Sequence, residues 1–263
     1  MYVRAQLRTG ARRGFTLIEL VVVLAILAAI AGLVIPQVDS LRRSSDKGTA
    51  SHTIAAVANN TQLYRTLKGV YPDRFDALLE GTTTTSTTTL YPKLSSKVSV
   101  AFGTFALTND STAGLYLKSL QDVGFNRVMY HDSALPVNFG QNLPGNSGNA
   151  QKTLAVGDNV VVLDNSNATS KSKNMIGSVY PTGIPTGVKV IIVGVGQNTT
   201  SIGQTMQSAP SYQGVDANTT YNRYFLAFAA YATGKRARLL GAFDSTGDYL
   251  TQEVDEFNEN SVE

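Results

Sequence analysis

The chain contains no cysteine, and this absence excludes three kinds of chemistry. Disulfide bonds, thiolate nucleophiles and cysteine metal sites all need a thiol. Histidine is scarce as well, because His52 and His131 are the only two, and no His-Glu-x-x-His or Gly-x-Ser-x-Gly pattern occurs. Hydrolytic chemistry therefore has no recognisable site, and each histidine is interpreted as a surface or packing residue.

The chain also lacks a general excess of positive charge. Its 263 residues include 22 Lys and Arg against 19 Asp and Glu, but four of the arginines lie in residues 1–14, which contain no acid. Without that segment, 18 basic residues would face 19 acidic ones. We therefore predict no nucleic-acid partner. The 43% hydrophobic content is enough for a buried core, so global disorder is excluded.

Charged residues are absent from residues 20–38 as well. At 1.5 Å per residue, a helix over residues 17–38 would cover about 33 Å, which matches the hydrocarbon thickness of a bilayer. Because arginines precede this run, the pattern predicts a single pass through the cytoplasmic (inner) membrane, with the leader inside and the remainder outside the cytoplasm.

Several signals share this outline. An ordinary secretory signal would be cut after the small-x-small site at residues 29–31, a twin-arginine signal could use Arg12 and Arg13, and an uncleaved anchor would stay in place. None of them explains Glu19, since a lone carboxylate in a membrane helix is unfavourable and usually has a functional partner.

The segment Gly-Phe-Thr-Leu-Ile-Glu-Leu at residues 14–20 resembles the signature of type IV pilins and type II secretion pseudopilins. The resemblance implies that a prepilin peptidase cuts between Gly14 and Phe15 and methylates the new amino group. It also implies sister subunits, an assembly platform and a pilus or pseudopilus as the destination. In a filament, Glu19 would pair with the Phe15 ammonium of a neighbouring subunit.

Pro36 lies inside the predicted helix. Proline removes a backbone hydrogen bond, so we expect a kink or local melting within residues 32–36, as the resemblance also implies. The alternative is that Pro36 ends the membrane span.

Spacing of three or four residues continues after the span and gives a narrow stripe suited to packing on a sheet, formed by Ile54, Val57, Ala58, Thr61, Tyr64 and Leu67. It predicts one helix over about residues 15–67 that stops at Gly69. The stretch Gly-Val-Tyr-Pro at residues 69–72 resembles major pseudopilins more loosely. Residues 82–89 are threonine except for Ser86, and we expect an exposed loop there, with a glycan-bearing or contact surface as the alternative.

The pattern of the remaining chain favours an α+β head. Residues 98–102, 160–163, 188–193 and 236–243 are interpreted as strands, residues 115–123 as a short helix, and residues 221–232 as either. Residues 193–196 read Val-Gly-Val-Gly, which is half of a dinucleotide-binding pattern; we interpret them as a turn between strands. The fold class is thus a long N-terminal helix, membrane-spanning in its first half, on a mainly antiparallel sheet.

The predicted organisation is a cleaved leader (1–14), a transmembrane and assembly helix (15–38), its continuation (39–68) and a pilin-like head (69–263). Near its end the head carries Asp244, Asp248 and Glu253 around a glycine turn. These hard oxygen donors are candidate calcium ligands, and the family resemblance implies a calcium site in this region, although a solvated acidic tail is the preferred interpretation. No other cofactor is expected.

The sequence thus favours a non-enzymatic filament subunit, a pilin or pseudopilin precursor assembled through its N-terminal helix. The alternative is an exported binding or enzymatic domain that uses the pilin-type segment only as a membrane anchor.

Overall fold

The structure is a computed structural model, and it describes residues 16–81, 86–131, 151–163 and 169–260. The leader, Gly14 and Phe15 lie outside the described residues. By its internal contacts the chain divides into two compact units, Met1–Arg43 and Ser44–Glu263.

The first helix, α1, extends from Leu17 to Lys68. It ends where predicted, because Gly69 adopts a φ of 76° and its amide still donates to the Arg65 carbonyl at 2.8 Å. The helix is unbroken over residues 32–36, so the expected local melting does not occur in this structure. Proline has no amide hydrogen to donate, but the turns on either side of Pro36 remain helical. Among the described residues, no helix has an apolar stretch long enough to cross a membrane.

The second part of α1 contributes one face to the hydrophobic core of the larger unit. Ala50, Ile54 and Val57 are each at most 2% exposed. Thr61 is also buried, and its hydroxyl donates to the Val57 carbonyl at 2.8 Å, which satisfies a polar group that would otherwise be unpaired. The apolar spacing therefore identified the buried stripe, except for Leu67, which is 66% exposed.

A mixed sheet forms the rest of the core. The strands of the described residues are β1 (Phe75–Gly81), β2 (Ser86–Leu90), β3 (Phe102–Ala106), β4 (Arg127–His131), β5 (Gln151–Thr153), β6 (Asn159–Leu163), β7 (Val188–Gly194), β8 (Phe225–Tyr231) and β9 (Arg238–Phe243). Hydrogen-bonded neighbours follow the order β3-β6-β7-β1-β4-β5, while β2 joins β1, and β8 joins β7 and β9. Only β1 and β4 are parallel among these pairs, so the predicted mainly antiparallel sheet is confirmed.

Within the described residues, four further helices follow α1: α2 (Ser96–Ser99), α3 (Tyr116–Gln121), α4 (Ser170–Val179) and α5 (Leu250–Asn260). The short helix expected over residues 115–123 is α3, and the ambiguous stretch 221–232 contains strand β8. The strand expected over residues 98–102 is wrong except at its last residue, Phe102. Ser95 caps α2 by accepting from the Lys97 amide at 3.3 Å, and the strand begins only at Phe102.

The threonine run is also not simply a loop. Residues 82–85 lie outside the described part, but Ser86–Leu90 form β2, which pairs antiparallel with β1 through Leu79 and Leu90. Threonine is β-branched and suits an extended backbone, which explains why a polar run forms a strand. The expectation of a loop over residues 82–89 is therefore wrong for its second half.

Candidate assembly segment and acidic cluster

Thr16 and Glu19 form a reciprocal pair of hydrogen bonds at the start of α1. The Thr16 amide donates to Glu19 Oε2 at 2.8 Å, and the Glu19 amide donates to Thr16 Oγ1 at 3.3 Å. This arrangement is a capping box, which satisfies amides that have no partner in the first turn of a helix. This capping box was not predicted from the sequence, although the Thr-x-x-Glu spacing is a recognisable signal. The Glu19 carboxylate thus has a partner within its own chain.

Large apolar side chains of the first part of α1 are exposed. Their exposed fractions range from 45% at Val34 to 82% at Leu17. The set between residues 17 and 38 comprises Leu17, Ile18, Leu20, Val21, Val22, Val23, Leu24, Ile26, Leu27, Ile30, Val34, Ile35 and Val38. An exposed apolar surface of this extent is typical of a membrane or protein interaction site.

Asp244, Asp248 and Glu253 come together at the carboxyl end of the larger unit. Asp244 follows β9, Asp248 closes the next turn, and Glu253 lies in the first turn of α5. One carboxylate oxygen from each lies within 4.8 Å of the others. Asp244 and Glu253 are 0% exposed and Asp248 is 8% exposed, against the expectation of a solvated tail.

The turn itself orients the first carboxylate. Asp244 Oδ1 accepts from the amides of Thr246 and Asp248 at 2.9 and 2.7 Å, and the Thr246 hydroxyl lies 2.8 Å from oxygens of both aspartates. Gly247 at the centre of this turn has a φ of 81°, a conformation that favours glycine. The sequence Asp-Ser-Thr-Gly-Asp therefore folds locally into a loop that presents carboxylates inward.

Two lysines from distant parts of the chain supply positive charge to this cluster. Lys47 Nζ, from α1, lies 3.4 Å from Glu253 Oε2 and 2.5 Å from Glu256 Oε2. Lys171 Nζ, from α4, lies 2.6 Å from Asp248 Oδ1. No sequence signal marks either lysine, because their spacing from the acids carries no local pattern.

Burial and mutual repulsion change the proton affinities of the three acids. Burial raises the pKa of Asp244, and burial together with the Asp244 charge raises the pKa of Glu253 to about 8. Burial acts in the same direction on Asp248, but the hydrogen bond and charge of Lys171, the Thr246 hydroxyl and the charge of Lys47 together outweigh it and leave the pKa of Asp248 below its ordinary value. The cluster is therefore short of positive charge at Asp244 and Glu253.

The donor set of the cluster fits a hard cation. Carboxylate oxygens around a calcium ion at 2.3–2.6 Å can lie at most about 5 Å apart, and the spacing of 4.8 Å meets that condition. Glu253 Oε2 is buried and accepts no hydrogen bond from the described residues. The candidate ligands chosen from the sequence are thus brought together.

A half-open groove of about 680 Å³ lies across β3, β6 and the start of β7. Phe105 and Tyr116 meet edge to face on its wall with ring centroids 5.1 Å apart, and Lys189 Nζ lies 4.9 Å from the Phe105 centroid. No carboxylate or histidine belongs to its described lining. The groove can therefore bind an apolar or anionic group, but its described lining offers no acid–base pair.

Comparisons with known proteins bear on the amino-terminal segment. The family described as "Prokaryotic N-terminal methylation motif" matches residues 10–35. "Type II secretion system core protein G" of Escherichia coli (strain K12) is 36% identical over 64 residues, which cover 24% of this chain and 44% of that protein. This chain thus spans less than half the length of that relative. No solved structure matches the chain significantly. The resemblance of the amino-terminal segment to the pilin and pseudopilin family is confirmed.

Proposed function

We propose that this chain is a structural subunit of a pilin-like or pseudopilin-like filament. A peptidase cuts between Gly14 and Phe15 and so removes residues 1–14. The apolar first part of α1 anchors the chain in the cytoplasmic membrane, with the head outside the cytoplasm. The same segment then builds the filament core with sister subunits on an assembly platform. The role is assembly rather than catalysis.

The observation that carries this proposal is the exposed apolar surface of α1. Burial of apolar surface is worth roughly 25 cal/mol per Å², so a row of thirteen large exposed side chains favours transfer into lipid or into contact with other copies. The methylation motif at residues 10–35 supports the second destination.

Glu19 would set the register between copies. Its carboxylate accepts the Thr16 amide inside the isolated chain. In a filament the Glu19 carboxylate would bind the Phe15 ammonium of a neighbour, either in place of the Thr16 amide or together with it. A full positive charge in a low-dielectric surrounding attracts a carboxylate more strongly than an amide does.

The test is to express the full chain with its processing and assembly machinery, sequence the mature amino terminus and examine sheared filaments by electron microscopy. We expect a chain that begins with N-methyl-Phe15. Glu19→Gln should still be processed but should lower the filament yield at least tenfold, because the neutral amide cannot pair with the ammonium.

Asp46→Asn, which also neutralises an acid on α1 but outside the apolar run, is the matched control and should assemble normally. A chain that keeps its arginine-rich leader, or Glu19→Gln filaments at parental yield, would refute the proposal.

The groove of about 680 Å³ favours a second candidate function, an exported binding domain that uses the apolar segment only as an anchor. In that case Phe105→Ala would abolish ligand capture, whereas Glu19→Gln would leave both the anchor and the binding unchanged.

We propose in addition that Asp244, Asp248 and Glu253 bind Ca²⁺. The support is the inward orientation of three carboxylates and the deficit of positive charge at Asp244 and Glu253. The ion would stabilise the turn between β9 and α5, and with it the attachment of α5 to the head.

A further inference from the structure

A basic patch, defined here as Lys235, Arg236 and Arg238, lies at the turn between β8 and β9. All three side chains are exposed. Lys235 Nζ lies 5.5 Å from the Tyr231 ring centroid, and hydrogen bonding to the Tyr180 hydroxyl raises the pKa of Arg238. The tyrosines thus hold two of the three cations in place without neutralising them.

No acid accompanies these cations along the neighbouring chain. Residues 176–194 and 221–243, which include all of β7, β8 and β9, contain no Asp or Glu. No described carboxylate forms an ion pair with a residue of the basic patch. Its charge is therefore available to a partner.

The opposite charge is concentrated at the carboxyl end. Residues 244–263 contain seven acids and no Lys or Arg. Asp255 on α5 is exposed and has no ion pair with a described residue, and Glu256 beside it is partly exposed even though Lys47 contacts it. We call Asp255 and Glu256 the acidic face.

The two surfaces lie at different heights along α1 within the larger unit. Lys47 contacts Glu256, which places the acidic face near residue 47 of α1. Tyr71 places the basic patch at the other end, because its hydroxyl accepts from Arg65 Nη1 at 2.8 Å and from the Leu239 amide at 3.0 Å. At 1.5 Å per residue, α1 advances about 27 Å between residues 47 and 65.

We propose that the basic patch of one copy binds the acidic face of a second copy, displaced by about 27 Å along the direction of α1. This inference rests on the proposed filament, in which copies lie parallel. Two different complementary surfaces on one molecule form a head-to-tail contact, and such a contact repeats without closing unless the rotation forms a ring. Charge complementarity between the heads would set the stagger, while the apolar segment supplies most of the burial.

A charge-swap series tests the contact. Arg238→Glu and Asp255→Arg should each lower the yield of sheared filaments about tenfold, because each brings like charges together. The double variant should restore at least half of the parental yield. Lys97→Glu, the same charge reversal at an exposed position of α2 outside both surfaces, is the control and should assemble normally.

Crosslinking tests the same pair without relying on yield. The chain has no cysteine, so Arg238→Cys and Asp255→Cys introduce the only thiols. An Arg–Asp pair holds the two Cα atoms farther apart than a disulfide permits, and a bis-maleimide of about 10 Å span is the appropriate reagent. We expect crosslinked ladders in filaments of the double cysteine variant, and none with Lys97→Cys combined with Asp255→Cys.

The outcomes separate this inference from the filament proposal. If parental filaments form but the swap has no effect and no ladder appears, the inference is wrong and the filament proposal stands. If the parental chain forms no filaments, both fail. Restoration by the double swap together with the ladder supports the contact.

Discussion

Near the start of β1, the Asp76 carboxylate is fully buried beside Tyr221, whose hydroxyl donates to Asp76 Oδ2 at 2.7 Å. Burial raises the pKa of Asp76 to about 7, although this hydrogen bond and the charge of Arg223 act in the opposite direction. The carboxyl group is therefore easier to bury in its protonated form, since an ion loses more hydration than a neutral acid does.

This burial predicts a pH-dependent contribution to stability. Because the pKa of Asp76 is higher in the folded chain than the ordinary value of 3.8, the folded state binds the proton more tightly. The contribution is fully present below about pH 4, falls by about 1 kcal/mol per pH unit as the pH rises, and is lost above about pH 7.

Asp76→Asn should flatten the dependence of the unfolding free energy on pH between 4 and 7, as measured by urea unfolding of the detergent-solubilised full chain. Asp122→Asn, at a partly exposed ion pair with Lys118, should leave the slope almost unchanged. An identical slope in Asp76→Asn and the parent would contradict the assignment.

At the level of elements, two glycines, Gly194 at the end of β7 and Gly196 just after it, face the buried pair of Asp76 and Tyr221. A Cβ at Gly196 would collide with the Asp76 carboxylate, and a Cβ at Gly194 would collide with the Tyr221 hydroxyl. The Gly-x-Gly pattern thus has a packing explanation here. Its interpretation as a turn is wrong at its start, because residues 193 and 194 still belong to β7 and the turn begins only at residue 197.

Gly196→Ala should therefore destabilise the head by about 1–3 kcal/mol, because the Asp76 carboxylate that the new Cβ would meet is fully buried and bound by the Tyr221 hydroxyl. Gly177→Ala is the matched control, since Gly177 lies within α4 and a Cβ there meets no atom within 4 Å. Replacing a helical glycine by alanine should stabilise by about 0.5–1 kcal/mol. Chemical denaturation measures both changes, and opposite signs are the expected result.

Secondary structure was predictable where apolar residues followed a clear local pattern. The apolar strands β6 and β7 and the spacing of Ile54 and Val57 on α1 could be read directly. The second half of the threonine run could not, because its strand depends on pairing with β1, which lies beyond a local window.

For the whole molecule, the sequence predicted candidate residues that stand out locally, but not their partners from distant parts of the chain. Glu19 and the three acids near the carboxyl end were identified as candidates. Lys47, which joins α1 to α5 across 206 positions of the chain, could not be identified from spacing. The basic patch, by contrast, is a local run of the sequence, but Tyr180, which is hydrogen-bonded to Arg238, lies in another segment and could not be identified from spacing.

The proposed calcium site makes a prediction for the whole chain. A ligand that binds only the folded state raises its stability, so Ca²⁺ at a hundredfold excess over its Kd should add about 2.7 kcal/mol and raise the unfolding temperature by a few degrees. Mg²⁺ should act less, because it requires a smaller octahedral site.

Glu253→Gln should weaken this effect of Ca²⁺, and the exposed Asp255→Asn should retain it. Thermal unfolding followed by circular dichroism measures both variants. A midpoint of the parental chain that does not respond to Ca²⁺ would exclude the site.

The capping box at Thr16 and Glu19 has a consequence for maturation. The amide of Thr16 belongs to its peptide bond with Phe15, which is on the mature side of the proposed cut. Removal of the leader would therefore leave both reciprocal hydrogen bonds intact. The precursor and the trimmed chain would then begin the helix in the same way. Proteolysis would create a new ammonium on Phe15, one residue before the Thr16 amide that already holds the Glu19 carboxylate in position.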